Sequence, residues 1–134
     1  MPVALEIVSP SQLVLSRPVD MVVIPAAEGD MGVLGGHAPM IVGLRGGAID
    51  LYAGEQISER LFVAGGFAEI TPERCTVLAN EAIPVAQLSR ADGERRLAAA
   101  EAAYAEADTS DPVIEDALLD RIQSARAMVE TAPG

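Results

Sequence analysis

The sequence contains no lysine and no tryptophan, and all nine of its basic residues are arginines. Without lysine there is neither a P-loop lysine to hold a nucleotide phosphate nor a lysine to form a Schiff base. The 20 acidic residues give the chain a formal net charge of -11. Because phosphate backbones repel so acidic a protein, nucleic-acid binding is excluded as a function.

Ligands for a metal ion are also scarce, since the chain has one cysteine, Cys75, and one histidine, His37. Two soft ligands do not complete a zinc site, so we expect no metal and no cofactor. A lone cysteine cannot form an intramolecular disulfide, and we expect Cys75 to be a buried structural thiol in the alternating run RCTVL.

Long apolar runs are missing as well. No stretch reaches the roughly 18 consecutive apolar residues that a membrane-spanning helix needs. The N-terminal MPVALEIVSP lacks the basic and apolar regions of a signal peptide. We therefore expect a protein that is cytoplasmic, or that lies on the cytoplasmic side of a larger structure, and that does not insert into a membrane.

Up to about residue 85 the chain consists of short β-type runs separated by Gly, Pro or polar turns. In one of them Ile49 and Leu51 share a face, while Asp50 and Tyr52 share the other. Eight such runs without intervening helices predict an antiparallel β-sandwich or barrel. The eight runs are VALEIV, LVLS, VDMVVIP, MIVGL, AIDLYA, ISERLFVA, FAEIT and RCTVLA.

After Pro84 the composition changes to Ala, Glu and Arg, which favour helix. Ser89 predicts the start of a first helix and Asp111-Pro112 the start of a second, so the tail is an antiparallel two-helix hairpin. The two predicted apolar stripes are Leu97, Ala100, Tyr104 and Ala107 on the first helix, and Ile114, Leu118, Ile122, Ala125 and Val129 on the second.

The segment EGDMGVLGGHAP, residues 28–39, could hold phosphate, act as a catalytic corner or contact another protein. Its glycine spacing matches no phosphate-binding loop. His37 could act as a general base only with a carboxylate such as Glu28 or Asp30 beside it. A turn residue that hydrogen-bonds to the backbone is the simpler interpretation, and we predict no catalytic residue.

These motifs occur in a characteristic order: VSP, then PVDMVVIPAAEGDMGVLGGHAPMIVGLRGGAI, FVAGGFAEI, RCTVLANEAI and the two-helix tail. This order and spacing resembles the epsilon subunit of the bacterial F-type ATP synthase, which corresponds to the mitochondrial delta subunit. The resemblance covers the whole chain, and EGDMGVLGGHAP followed by GGFAE carries most of it.

The resemblance implies a sandwich of roughly ten strands over residues 1–86 and a helical hairpin over residues 87–134. It implies a non-catalytic rotor subunit at the cytoplasmic face of the bacterial inner membrane. Such a subunit joins the gamma subunit to the c-subunit ring and transmits proton-driven rotation to the catalytic head. The implied contacts with the c ring are Glu28, Gly29, Asp30, Met31 and His37.

The tail departs from the family pattern. Relatives that bind ATP carry (I/L)-D-x-x-R-A at the first helix, whereas the matching positions here are Leu88, Ser89, Asp92 and Gly93.

Relatives that inhibit ATP hydrolysis present basic side chains to the beta subunit of the catalytic head. Residues 90–134 carry 10 acidic residues and 5 arginines, and Arg121 and Arg126 are the candidate inhibitory contacts of the second helix. We expect weak inhibition, because like charges oppose each other.

Two other classes of function remain open at this stage. One is a small β-domain enzyme or ligand-binding protein that uses His37. The other is an adaptor that binds its partner through the helical hairpin.

The degenerate motif generates the first testable prediction, that the chain does not bind ATP. Asp92 stands where a phosphate-binding arginine is expected, so it places a like charge beside the phosphates. Titration calorimetry with ATP should detect no binding up to millimolar concentration. An affinity at or below millimolar would contradict the prediction.

Overall fold

The structure, a computed structural model, describes residues 2–133. Ten strands make up its first part: β1 (Val3–Ser9), β2 (Gln12–Val19), β3 (Met21–Ala26), β4 (Gly29–Val33), β5 (Met40–Gly43), β6 (Gly47–Ala53), β7 (Gln56–Ala64), β8 (Phe67–Ile70), β9 (Arg74–Leu78) and β10 (Glu81–Pro84). They form two five-stranded sheets, sheet A in the order β2-β1-β9-β8-β5 and sheet B in the order β10-β7-β6-β3-β4. The predicted sandwich is confirmed.

The core between the sheets is aliphatic, as the shortage of aromatic residues requires. Leu5 and Ile7 from sheet A and Ile49 and Leu51 from sheet B are all fully buried in one cluster. Alternation along β6 points Asp50 and Tyr52 away from this core, which confirms the predicted faces. Cys75 lies in the same cluster with no exposed surface, so the prediction of a buried thiol is also correct.

Two strands were missed by the residue pattern, although the family resemblance implied about ten. β4 lies inside the glycine-rich segment, and pairing with β3 from Val22↔Val33 to Ala26↔Gly29 holds it in place. Glycine has a low intrinsic preference for strands, so here the hydrogen bonds to a neighbouring strand override local propensity. β10 is only four residues long and pairs with β7 in the same way.

One strand pair departs from the predicted antiparallel arrangement. β1 runs parallel to β9, with Leu5 opposite Cys75 and Ile7 opposite Val77. Parallel neighbours need a long crossover connection. Here the crossover comprises all the strands between β1 and β9, which no local pattern reveals.

The tail contains the two predicted helices. A 3₁₀ turn (Val85–Gln87) leads to α1 (Arg90–Glu106), and α2 (Pro112–Thr131) follows. Ser89 caps α1 by accepting a hydrogen bond from the Asp92 amide at 3.1 Å, and Asp111 caps α2 through the Val113 amide at 2.9 Å. The Asp92 carboxylate pairs with Arg95 and Arg96 instead of closing a full capping box.

The hairpin packs on the outer face of sheet B. Phe62 of β7 is fully buried against Leu88, Met128 and Ala132. The predicted stripe of α2 is only partly right. Ala125 is buried, but Ile114 near the start of the helix is 41% exposed, and Met128 near its end is buried although the stripe did not include it. The C-terminal part of α2 lies over the sheet, whereas the beginning of the helix has no strand to cover it.

Within residues 2–133 no helix is both long and apolar enough to cross a bilayer.

Burial of Cys75 generates a prediction about stability at high pH. Removal from water raises the pKa of its thiol from 9.0 to about 11. The unfolded chain therefore loses this proton at lower pH than the folded chain, and the stability that the neutral thiol contributes below pH 9 is lost as the pH rises toward 11. Between pH 9 and pH 11, the free energy of unfolding should fall by about 2 kcal/mol more in the wild type than in Cys75→Ala. Urea denaturation of both proteins measures this difference, and equal losses would contradict it.

Candidate functional site

Residues 28–31 form one wall of a shallow concavity at one end of the sandwich, which we call the turn concavity. The turn between β3 and β4 faces the beginning of β5 across a volume of about 510 Å³. Its lining combines two carboxylates with exposed apolar side chains, of which Ile41 is 68% exposed. The lining residues are Ala26, Ala27, Glu28, Gly29, Asp30, Met31, Met40, Ile41, Val42 and Gly43.

The two carboxylates of the turn concavity differ in whether they form an ion pair. Asp30 pairs with Arg45, whose Nη2 lies 2.6 Å from its Oδ1. The same guanidinium donates through Nε to the carbonyl oxygen of Ala26 at 3.2 Å. Glu28 forms no ion pair within the described part of the chain, so its charge is available to a partner.

His37 is not part of this concavity. It follows the opposite end of β4, in a turn where its amide donates to the carbonyl oxygen of Leu34 at 3.2 Å and the Gly36 amide donates to that of Pro72 at 2.7 Å. The His37 Nδ1–H donates to the Ala38 carbonyl oxygen at 2.8 Å. Among residues 2–133 no carboxylate pairs with the ring, so the geometry does not support a general base there.

The outer face of sheet A carries a continuous apolar row. Pairing places Phe67 beside Leu78, Leu78 beside Val8, and Val8 beside Leu13. Phe67 is 43% exposed and Leu13 is 57% exposed. We call these four residues the outer row. A contiguous apolar strip that crosses four strands is typical of a protein-binding surface.

A second concavity, of about 770 Å³, lies between the helical hairpin and sheet B. Two contacts hold its walls together. Gln123 accepts from the Gly46 amide at 2.8 Å and donates to the Gly46 carbonyl oxygen at 2.7 Å. Arg96 of α1 donates to both carboxylate oxygens of Glu81, at 2.5 and 3.2 Å, and this hydrogen bond raises the pKa of Arg96.

All four positions of the degenerate nucleotide motif have structural roles. Leu88 is buried beside Phe62. Ser89 caps α1, and Asp92 pairs with Arg95 and Arg96. Gly93 lies where an added Cβ would come 3.0 Å from Val129, so its small size permits close packing of the helices. These roles support the expectation that no nucleotide binds here.

The two candidate inhibitory arginines are both on α2. Arg121 lines the second concavity and Arg126 lies outside its lining. Both are exposed, and within the described residues neither pairs with a carboxylate.

Comparison with known proteins decides the family. A family model described as "ATP synthase, Delta/Epsilon chain, beta-sandwich domain" matches residues 2–85. The chain belongs to the ATP synthase epsilon chain family. The Granulibacter bethesdensis ATP synthase epsilon chain is 65% identical over 96% of both chains. That of Gluconacetobacter diazotrophicus is 45% identical over 100% of this chain and 95% of its own. Members of this family are non-catalytic subunits of the synthase.

Solved structures share the fold at low sequence identity. A chain of the Euglena gracilis mitochondrial ATP synthase, in a structure of OSCP, F1 and the c-ring, superposes with a TM-score of 0.73 at 22% identity and covers 94% of this chain and 80% of its own. A chain in a structure of the Tetrahymena thermophila mitochondrial ATP synthase central stalk and c-ring superposes with a TM-score of 0.63 at 10% identity. The match covers 99% of this chain and 98% of that chain.

Sequence reasoning singled out Glu28, Gly29, Asp30, Met31 and His37; the first four line the turn concavity and His37 does not. The same reasoning missed Arg45, which lies 15 positions from Asp30 and has no local signal for that contact. It also missed the outer row, although Phe67 stands in the motif GGFAE. Alternation along β1, β8 and β9 could have found this row, because the outward positions of these strands include apolar residues.

The close approach at Gly46 generates a prediction about hairpin docking. A Cβ there would lie 2.6 Å from the Ser124 Cα, whereas a Cβ at Gly43 would have nothing within 4 Å. Gly46→Ala should therefore displace α2 and lower the free energy of unfolding by about 1–3 kcal/mol. Gly43→Ala is the matched control and should change it much less. Urea denaturation checks both, and equal stability of the two variants would contradict the account.

Proposed function

We propose that this chain is a rotor subunit that joins the gamma subunit to the c-subunit ring and so couples proton-driven rotation to ATP synthesis in the catalytic head. The proposal assigns both contacts to the sandwich, residues 1–86, and a secondary role to the hairpin, residues 87–134. One observation carries it: the hairpin covers the outer face of sheet B, while the outer face of sheet A presents an exposed apolar row.

The outer row is the proposed contact with gamma. A partner that covers it removes Phe67, Leu78 and Leu13 from water, and these residues are all at least 36% exposed in the isolated chain. A few residues at the fully desolvated centre of an interface supply most of the binding energy, and Phe67 is the aromatic residue of the outer row. The neighbouring outward row contains Glu69, Thr76 and Glu6, which supplies the polar rim that protein interfaces have.

The turn concavity is the proposed contact with the c ring. Glu28 offers an unpaired carboxylate and Asp30 a carboxylate held by Arg45, so the surface suits a polar partner that carries donors or positive charge. Gly29 has a positive φ of 143° with nothing within 4 Å of its added Cβ, and its lack of a side chain lets another backbone come close. His37 follows the other end of β4, so the proposed contact consists of residues 28–31 without it.

The hairpin is proposed to inhibit ATP hydrolysis only weakly. Arg121 and Arg126 are the residues through which it would touch the beta subunit. The ten carboxylates of residues 90–134 outnumber the five arginines, so approach to an acidic segment is opposed by like charge. With these partners, the subunit would lie peripherally at the cytoplasmic face of the bacterial inner membrane.

Two exposed apolar residues of equal exposure test the assignment of the outer row. Phe67 is 43% exposed on sheet A and Leu119 is 44% exposed on α2. Phe67→Asp should weaken binding to the gamma subunit of the same synthase by about tenfold or more, because an apolar anchor is replaced by a charge. Leu119→Asp should leave the affinity unchanged.

Binding of purified gamma to the immobilised variants measures both affinities, and circular dichroism verifies that each variant is folded. Wild-type affinity in Phe67→Asp would contradict the assignment. Loss of binding in Leu119→Asp instead would favour an adaptor that acts through its hairpin.

A further inference from the structure

The short segment Arg45-Gly46 contacts two separate surfaces of the molecule. Arg45 reaches the turn concavity, where it donates to Asp30 at 2.6 Å and to the Ala26 carbonyl oxygen at 3.2 Å. The next residue, Gly46, exchanges two hydrogen bonds with the side chain of Gln123 in α2, at 2.8 and 2.7 Å. Adjacent residues therefore hold the proposed c-ring contact on one side and the docked hairpin on the other.

The backbone of this segment is flanked by Leu44, whose amide donates to the Gly66 carbonyl oxygen at 3.0 Å, and by Gly47, which pairs with Val63. Gly46 lies between the isolated bridge Ala26↔Leu44 and the start of β6 at Gly47. The Arg45 amide donates to the Pro25 carbonyl oxygen at 2.9 Å. The position of Gly46 consequently depends on how Arg45 is anchored to the β3–β4 hairpin, and its fit against Ser124 leaves no room for a shift toward α2.

We propose that Arg45 couples the β3–β4 turn to the docking of the helical hairpin. A partner that offers a cation to Asp30 competes with Arg45 for the carboxylate. Arg45 then keeps its bonds to the Ala26 and Pro25 carbonyl oxygens but loses the ion pair, so it holds Gly46 less firmly and the two hydrogen bonds with Gln123 weaken. Coupling between sites is reciprocal, so a docked hairpin weakens the binding of such a partner at Asp30 by the same factor.

The functional meaning of this coupling rests on the proposed contact of the turn concavity with the c ring. The coupling itself can be measured in the isolated chain. The Gly46 amide is its direct reporter, because within residues 2–133 the acceptor of that N–H is the Gln123 side chain. Its hydrogen exchange rate therefore measures how often the hairpin separates from this segment.

The experiment compares amide exchange by NMR in the isolated full-length chain. Asp30→Asn removes the charge that holds Arg45, and exchange at Gly46 should accelerate by about twofold to fivefold, the effect expected of one exposed ion pair. Asp30→Glu keeps a carboxylate and should stay close to the wild-type rate. Asp50→Asn is the matched control, because it breaks the 2.8 Å pair of Asp50 with Arg60, which involves neither Arg45 nor Gln123.

Equal Gly46 exchange in Asp30→Asn and Asp50→Asn would overturn the proposal. An increase of the same size at the Ala27 amide, which donates to Gly43 at 2.8 Å, would also overturn it, since opening of the whole turn would then explain the result. Neither outcome depends on gamma or the c ring, so failure of this coupling is distinguishable from failure of the proposed function.

Discussion

The arrangement of this molecule depends on the burial of Phe62 beneath the helical hairpin. Leu61, Phe62 and Val63 are consecutive and all buried, so β7 is covered on both of its faces. Leu61 and Val63 face the sandwich core, and Phe62 faces Met128 and Leu88. Burying one such aromatic side chain contributes about 1.5–3 kcal/mol. This contact therefore makes sheet B an inner layer and leaves sheet A as the open face.

This asymmetry organises the proposed contacts. With sheet B covered, the apolar row on sheet A is the surface free to receive gamma, and the turn concavity at the end of the sandwich is left for the c ring. Arg45 and Gly46 lie between that concavity and the hairpin. The hairpin thus contacts a segment next to the proposed c-ring surface but covers neither of the proposed binding surfaces.

Features set by neighbouring residues were predictable from the sequence. The caps at Ser89 and Asp111, the alternation of β6 and the burial of Cys75 all follow from local patterns, and the motif EGDMGVLGGHAP predicted the family. Features that depend on distant residues were not predictable. These features are the parallel pairing of β1 with β9, the formation of β4 from glycine-rich sequence, and the burial of Met128 while Ile114 stays exposed; each depends on which element lies alongside.

The proposed coupling role of the sandwich can be measured as ATP synthesis in the absence of the hairpin. Synthase reconstituted into vesicles with this chain truncated after Gln87 is assayed for ATP synthesis driven by a proton gradient, beside the same complex with the full-length chain and one without it. The account predicts that the truncated chain restores synthesis to the full-length level. Synthesis no higher than in the complex that lacks the chain would contradict it, because the hairpin would then be required for coupling.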